Sequence, residues 1–120
     1  MIKKNIALNG LPDELIDVSY LKWGSFETAT NLPQETQCDI IVGSDIIYSA
    51  HVLASLAQTI AHYLKAETGT CYLANNKIRY DNYGAQFEEE IRKAGLQIVE
   101  RGNIDEDKGA VVMRLLVIKK

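Results

Sequence analysis

Residues 38–48 read CDIIVGSDIIY, and this stretch decides the fold. Its apolar, β-branched run at 40–42 predicts a strand that is buried on both faces, as in a parallel sheet covered by helices. Ser44 and Asp45 follow directly, so that two small polar side chains lie at the carboxyl end of this strand. Ligands of open α/β sheets bind at that end. With the hydroxyl-bearing ring of Tyr48 three residues further on, the stretch predicts a functional site.

A purely structural interpretation of the same residues stays open. Asp45 could cap the helix that follows, because an aspartate oxygen readily accepts a backbone N–H at a helix start. Tyr48 could be a half-buried ring that keeps its hydroxyl in water. Gly43 would let the backbone turn, or be approached closely, under either interpretation.

Composition bounds the class of protein. The 120 residues are 47% hydrophobic and 24% charged, which is typical of one globular domain. The net charge of −3 gives no basic footprint for nucleic acid, and no apolar run is long enough to cross a membrane. Cys38 and Cys71 match no zinc or redox spacing, and His51 and His62 are eleven residues apart, so no metal site is expected. A cytosolic or nuclear location is the expectation.

The rest of the chain alternates strands with helices, which predicts an α/β domain with a parallel sheet. Residues 16–23 alternate apolar and polar side chains and predict a half-buried strand near a sheet edge. Ser49 and Asp81 are the predicted caps of two helices, and Gly95 is suited to end the second. The predicted elements are a helix tail at 1–9, strands at 16–23, 39–42 and 70–74, a polar segment at 75–80, helices at 49–64 and 81–94, and an antiparallel pair at 96–100 and 110–118 joined by a charged turn at 103–109. Residues 25–37 are expected to form a loop or a short, weak helix.

Trp23 is the single tryptophan of the chain, and it stands beside Gly24 at the end of the predicted strand. The indole could simply close the core or cover the sheet edge. It could also form a flat wall against a planar ligand.

Four segments together resemble the C-terminal half of the seven-strand, S-adenosylmethionine-dependent methyltransferases. These segments are NIALN at 5–9, LKWG at 21–24, DIIVGSDIIY at 39–48 and KIRY at 77–80. The resemblance is strongest to the family-16 group, which contains protein-lysine methyltransferases, and it spans nearly the whole chain. The third segment looks like the strand that leads into the Asp-x-x-Tyr signature of that group.

The resemblance implies a partial Rossmann-like methyltransferase sheet within a single domain, residues 1–120. It would hold strands 3–7 of the family order 3-2-1-4-5-7-6, parallel with a C-terminal antiparallel hairpin, and helices on the faces. Complete members carry a Gly-rich turn and a ribose-binding acidic residue before this region. No Gly-x-Gly occurs in this chain, so the Gly-rich cofactor-binding part is expected to be lacking. The strand at 16–21 could then pair directly with 39–42, remain unpaired, or be joined to it by another chain.

The resemblance also implies residue roles. Trp23 would lie against the adenine of the cofactor, and Ser44 would line the adenosine pocket, mainly through its backbone. Asp45 and Tyr48 would be catalytic and face the methyl donor and the incoming lysine. Methyl transfer from a sulfonium needs a neutral amine held in line, which a carboxylate can orient while an aromatic wall tolerates positive charge. Arg79 would contact the substrate or pair with Asp45.

The predicted function is that of an S-adenosylmethionine-dependent protein-lysine N-methyltransferase, incomplete here, with weak or no cofactor binding and no activity alone. Its expected partner is a protein lysine side chain, with no nucleic acid and no membrane. The alternative is a non-catalytic interaction module, a truncated paralogue that forms a homo-oligomer through an exposed sheet edge. A nucleic-acid adenine methyltransferase is disfavoured because Ile46 and Ile47 stand where that class carries two prolines.

Overall fold

The computed structural model describes residues 1–25, 35–106 and 111–120. Most of the expected loop at 25–37 and the end of the expected turn at 103–109 lie outside these ranges. The described elements are α1 (Ile2–Leu8), a 3-10 turn (Asp13–Leu15), β1 (Ile40–Ser44), a second 3-10 turn (Ala50–Val52), α2 (Leu53–Tyr63), β2 (Thr70–Asn76), α3 (Lys77–Lys93), β3 (Gln97–Glu106) and β4 (Val111–Lys119). None of the helices in these ranges is both long and apolar enough to cross a membrane.

The four strands form one mixed sheet in the order β1-β2-β4-β3. β1 and β2 are parallel, with Ile41 opposite Cys71, whereas β4 runs antiparallel to both of its neighbours. This is the order that the resemblance implies for strands 4, 5, 7 and 6. The α/β fold class and the C-terminal antiparallel hairpin are therefore confirmed.

A single hydrophobic core lies between the sheet and the two long helices. Alternate residues of β2 and β4 enter it, because successive side chains of a strand point to opposite faces. Cys71 of β2 lies opposite Ile118 of β4, and both are completely buried. From the helices, Leu53 of α2 and Phe87 of α3 are also completely buried. This packing fixes the positions of the carboxyl ends of β1 and β2.

The opposite face of β1 is uncovered, so the prediction that this strand is buried on both faces is wrong for the described residues. Ile40 is 65% exposed and Val42 is 74% exposed, while Ile41 between them packs against the core. The apolar run predicted the strand correctly. It could not show that both long helices would pack on the same side of the sheet.

The predicted strand at 16–23 is also wrong. This segment is extended at Ile16, with φ −134° and ψ 118°, and its even-numbered side chains Ile16 and Val18 are half-buried as the alternation predicts. It contains no strand, and its single bridge joins Lys22 to Ser25. A strand needs a neighbour for its backbone groups, and none of the described strands pairs with this segment. Direct pairing with 39–42 is therefore not seen in the described residues, and a strand supplied by another chain stays a prediction.

The predicted helix boundaries were correct at three positions and wrong at one. The Ser49 hydroxyl accepts a hydrogen bond from the His51 backbone N–H at 3.3 Å and so caps the turn that leads into α2. Gly95, with φ +82°, follows the end of α3, and Gly10 follows α1. Asp81 caps nothing, because α3 begins four residues earlier with Asn76 as its cap, whose side chain accepts the Ile78 N–H at 2.9 Å.

The predicted charged turn at 103–109 begins too early. β3 continues to Glu106, and Asn103 and Ile104 lie opposite Arg114 and Met113 of β4. Pairing with a long apolar strand extended β3 through residues whose polarity favours a turn, since the tertiary context overrides a weak local preference.

Candidate functional site

The carboxyl ends of β1 and β2 are joined through Asp45. Its backbone N–H donates to the Ala74 carbonyl at 2.9 Å, and its Oδ1 accepts the Asn76 N–H at 2.7 Å. Asp45 has φ +53°, a left-handed conformation that non-glycine residues other than Asn and Asp seldom adopt. The sharp turn expected at Gly43 therefore falls on Asp45. In the described residues Oδ2 forms no hydrogen bond, and Asp45 is exposed at the strand end where ligands of such sheets bind.

Asn75, at the end of β2, fixes the loop that carries these residues. We call residues 45–48 the strand-end loop. Asn75 is buried, with only 2% of the residue exposed, and its side chain forms a reciprocal pair of hydrogen bonds with Ile47. Its Oδ1 accepts the Ile47 N–H at 3.0 Å, and its Nδ2 donates to the Ile47 carbonyl at 3.1 Å.

Trp23 and Tyr48 meet at this same end of the sheet. Their ring centroids are 6.5 Å apart and the ring planes are inclined by 47°. The indole is positioned from α2, because the Gly24 N–H donates to the Thr59 hydroxyl at 2.9 Å. Gly24 has φ +80°, and a β-carbon there would lie 3.0 Å from the Ser55 hydroxyl. The glycine thus lets the chain turn and approach α2 closely.

An apolar cavity of about 300 Å³ lies beside the indole, between residues 21–23, β1 and α2. Its walls include Trp23, Gly43, Ile46 and Thr59. The volume is at the lower end for small-molecule pockets. A mostly apolar lining that includes the aromatic residues Trp23 and Tyr63 is suited to a planar base. The described walls contain no carboxylate for ribose hydroxyls, so the residues suit the base of a nucleoside rather than the whole cofactor.

Of the five predicted residues only Trp23 lines this cavity, and Asp45, Tyr48, Ser44 and Arg79 lie outside its lining. Ser44 is exposed and alternates with Gly43, so its side chain is on the uncovered face of the sheet, opposite Ala74 in the register. Arg79 is exposed on the first turn of α3. The ion pairs of the described residues do not include one between Arg79 and Asp45. The structure thus brings the Trp23 and Tyr48 rings together, with Asp45 three residues before Tyr48 at the same strand end, and leaves Ser44 and Arg79 at the periphery.

Comparison with known proteins identifies the family. Residues 1–94 match the family described as lysine methyltransferase, methyltransferase family 16. The chain belongs to this lysine methyltransferase family. A search of curated proteins returned no significant match for it.

Solved structures confirm the methyltransferase fold of this family member. A Leishmania major S-adenosylmethionine-dependent methyltransferase aligns with a TM-score of 0.54 at 16% identity, over 79% of this chain and 43% of the other. LepI in complex with S-adenosylmethionine aligns with a TM-score of 0.50 at 17% identity, over 70% of this chain and 26% of LepI. LepI bound to S-adenosylhomocysteine and a substrate analogue gives the same values. The chain spans less than half the length of these relatives.

Sequence reasoning missed Asn75 in this lysine methyltransferase family member. It lies on the same face of β2 as Cys71 and Leu73, which are both buried. Period-two spacing along the strand could therefore have predicted a buried amide, which must find hydrogen-bond partners.

A second missed group surrounds Tyr80 on α3. The Arg114 guanidinium carbon lies 5.6 Å from the Tyr80 ring centroid, and Arg114 Nη1 donates to the Asn103 side chain at 3.2 Å. Burial, and then the negative charge of Glu88, raises the pKa of Tyr80 to about 12. The ring contact ties α3 to β4 directly behind Asn75, since Asn75 and Arg114 are register partners.

The cysteines are buried to different extents. Burial raises the pKa of the Cys71 thiol to about 12. The pKa of Cys38 is also raised, by burial and then by the charge of Asp39. Thiols whose pKa is raised are poor nucleophiles at neutral pH, so neither is suited to covalent catalysis.

Proposed function

We propose that the chain forms the adenine-binding and acceptor end of an S-adenosylmethionine-dependent protein-lysine N-methyltransferase. The convergence of Trp23 and Tyr48 at the carboxyl end of β1, beside an apolar cavity, is the observation that carries this proposal. Membership of the lysine methyltransferase family supports the reaction class.

The proposed chemistry assigns separate tasks to three side chains. When bound, S-adenosylmethionine supplies a sulfonium methyl group. The Trp23 indole packs against the adenine, and the free Oδ2 of Asp45 accepts a hydrogen bond from the neutral lysine amine. The Tyr48 ring forms a wall on which the developing ammonium is tolerated.

The transfer itself needs little more than alignment. Asp45 and Tyr48 would hold the neutral amine in line with the methyl group that the bound cofactor would supply, so that the amine nitrogen accepts the methyl group. The methylated ammonium then loses a proton to water. Positioning provides much of the rate of such displacements, and a misplaced group costs about 10²-fold. We therefore expect the isolated 120-residue polypeptide to turn over little or not at all.

The proposal predicts an unusual ligand preference, because the described walls suit a base and little else. Titration calorimetry, followed also by Trp23 fluorescence, should give adenosine and S-adenosylmethionine similar, weak affinities, with Kd above about 100 µM. Methionine should not bind measurably. The variant Trp23→Leu should abolish binding, and Tyr72→Leu, an aromatic truncation at an exposed position of β2 outside the cavity lining, is the matched control. Micromolar affinity for S-adenosylmethionine would contradict the expected weak binding.

The lysine acceptor is tested by supplying the rest of a methyltransferase sheet from a complete family member, as a fusion. Labelled methyl groups should then appear as N-methyllysine after acid hydrolysis of an acceptor protein. Asp45→Asn and Tyr48→Leu should each lower the yield by about 10-fold or more, whereas Tyr48→Phe, which keeps the ring, should retain most of it. Label in nucleic acid, or in arginine alone, would refute the assigned acceptor.

A non-catalytic role has one observation in its favour. β1 is an edge strand of the described sheet, and its Ile40 and Val42 are exposed, which is typical of a surface that pairs with another chain. Under this alternative two copies associate through β1 in solution. Sedimentation equilibrium from 1 to 200 µM should then show a dimer that Val42→Lys dissociates. A strict monomer over that range would eliminate the alternative.

A further inference from the structure

We propose that Asn75 is a positioning residue that holds the strand-end loop, and with it Asp45 and Tyr48, in the geometry needed by the acceptor. This inference rests on the proposed function for the identity of the acceptor, but the holding of the loop is independent of it.

The case begins with burial. Asn75 and Thr59 are the two buried polar residues of the described core, and Asn75 is the more buried, at 2% exposure. A buried amide without partners is costly, so its position in the core is tolerated because its hydrogen bonds are satisfied. Both polar atoms of the side chain are used, and Nδ2 also lies 3.3 Å from the Asn76 carbonyl oxygen.

The partners are backbone atoms of the strand-end loop rather than of a regular strand. Ile47 lies in no helix or strand, so its N–H and carbonyl have no ladder to satisfy them. A single side chain satisfies both groups. The Ile47 side chain is completely buried, which anchors the middle of the loop from the other direction.

The flanking residues of the loop carry the chemistry. Asp45 precedes Ile47 by two residues and is held by the backbone of Asn76, the residue after Asn75. Tyr48 follows Ile47 and meets the Trp23 ring. Two adjacent asparagines of β2 therefore fix one carboxylate and one aromatic ring relative to each other. Loss of the Asn75 bonds should release Tyr48 and leave the sheet intact.

The primary test is amide hydrogen exchange followed by NMR on the full 120-residue chain. Asn75→Leu removes both bonds while keeping a similar volume. The protection of the Ile47 amide should fall by about tenfold or more relative to the Leu73 amide in the same molecule. Nuclear Overhauser contacts between the Tyr48 and Trp23 rings should weaken at the same time. Ile118→Val, which trims the core on β4 far from the loop, is the control and should change neither readout relative to Leu73.

A second variant distinguishes the loss of these hydrogen bonds from a general loss of the fold. Asn75→Asp keeps an oxygen that can accept the Ile47 N–H and loses the amide donor. Ile47 protection in this variant should lie between that of the original protein and that of Asn75→Leu. Equal loss of protection at Ile47 and Leu73 in both variants would show that Asn75 supports the core as a whole, and would overturn the proposal.

Adenosine affinity separates this inference from the proposed function. The test is made on the original protein, whose adenosine binding depends on the cavity beside Trp23, a cavity whose lining does not include Asn75. If the original protein fails to bind adenosine while the exchange results hold, the methyltransferase proposal fails and the positioning role stands. If adenosine binds but Tyr48 keeps its ring contact in both variants, the positioning role fails alone.

Discussion

Gly84→Ala should destabilise the protein, although the same change in an exposed helix interior normally stabilises it by about 1 kcal/mol. Gly84 is buried in the middle of α3. A β-carbon added there would lie 2.5 Å from Cε1, 2.7 Å from Cζ and 2.9 Å from Cδ1 of Tyr80, one turn earlier. These atoms belong to a rigid ring rather than to the end of a flexible chain.

The ring cannot easily move away, since Tyr80 is only 7% exposed and Arg114 lies over its face. Inserting a methyl group into a packed site costs about 1–3 kcal/mol, and contacts below 3.0 Å with a rigid ring place this site at the upper end of that range. After the helix-propensity gain of about 1 kcal/mol is subtracted, we expect a net loss of up to about 2 kcal/mol in the free energy of unfolding. For a domain of this size that lowers Tm by up to about 8 °C.

Urea unfolding monitored by far-ultraviolet circular dichroism measures the effect. The matched control repeats Gly84→Ala in a Tyr80→Leu background, where the ring is absent and the substitution should instead stabilise by about 1 kcal/mol. If Gly84→Ala alone stabilises the protein, or if the two substitutions are additive, the close approach of ring and helix is not as described.

Three further predictions follow from the packing. In native protein at pH 8, iodoacetamide should modify Cys38 before Cys71, because the Cys71 thiol is buried and has a pKa of about 12. Cys71 should react only after unfolding, and early labelling of Cys71 would contradict its burial. The pKa of Tyr80 is raised from 10.0 to about 12 in the folded protein, so as pH rises the phenol ionises in unfolded chains before it ionises in folded ones. The contribution of this shift to stability is therefore complete below pH 10 and is lost as pH rises to 12. Tyr80→Phe should therefore flatten the fall in unfolding free energy over that interval, and an unchanged slope would refute the shift. Asn76→Ala removes a helix cap and should lower the free energy of unfolding by about 1 kcal/mol. Asp81→Ala breaks only the exposed ion pair with Lys77 and should lower it by less than about 0.5 kcal/mol. If urea titrations gave the reverse order, Asp81 rather than Asn76 would be the cap.

The positions of the four strands could be predicted because each carries an apolar signal, whereas their order in the sheet was implied by the resemblance to the methyltransferases. Residues 40–42 are a continuous β-branched run, and the helices between strands have clear apolar stripes. The boundary of α3 was missed because residues 75–80 are polar and the Asn76 cap is followed by no apolar run that marks a helix start. Asp81 fits the cap preference equally well, and only the backbone hydrogen bonds decide between them.

The site was predictable in part for a related reason. Asp45 and Tyr48 stand at a strand end, a position that sequence can locate, and Trp23 is the sole indole. Which face Ser44 points to depends on the strand register, since one residue of slip reverses every side chain. The hydrogen bonds of Asn75 to Ile47 join residues that are 28 positions apart in sequence, so no local pattern encodes them. The left-handed conformation of Asp45 was likewise not predicted.

The position of β4 between β2 and β3 has a consequence for synthesis of the chain on the ribosome. β2 and β3 both emerge before the strand that separates them, so neither can complete its hydrogen bonding until Val111–Lys119 has left the exit tunnel. Until then Leu73 lacks its partner Leu116 on β4. A stall before residue 111 would leave a polypeptide that contains α1, α2 and α3 but lacks β4, an interior strand of its sheet.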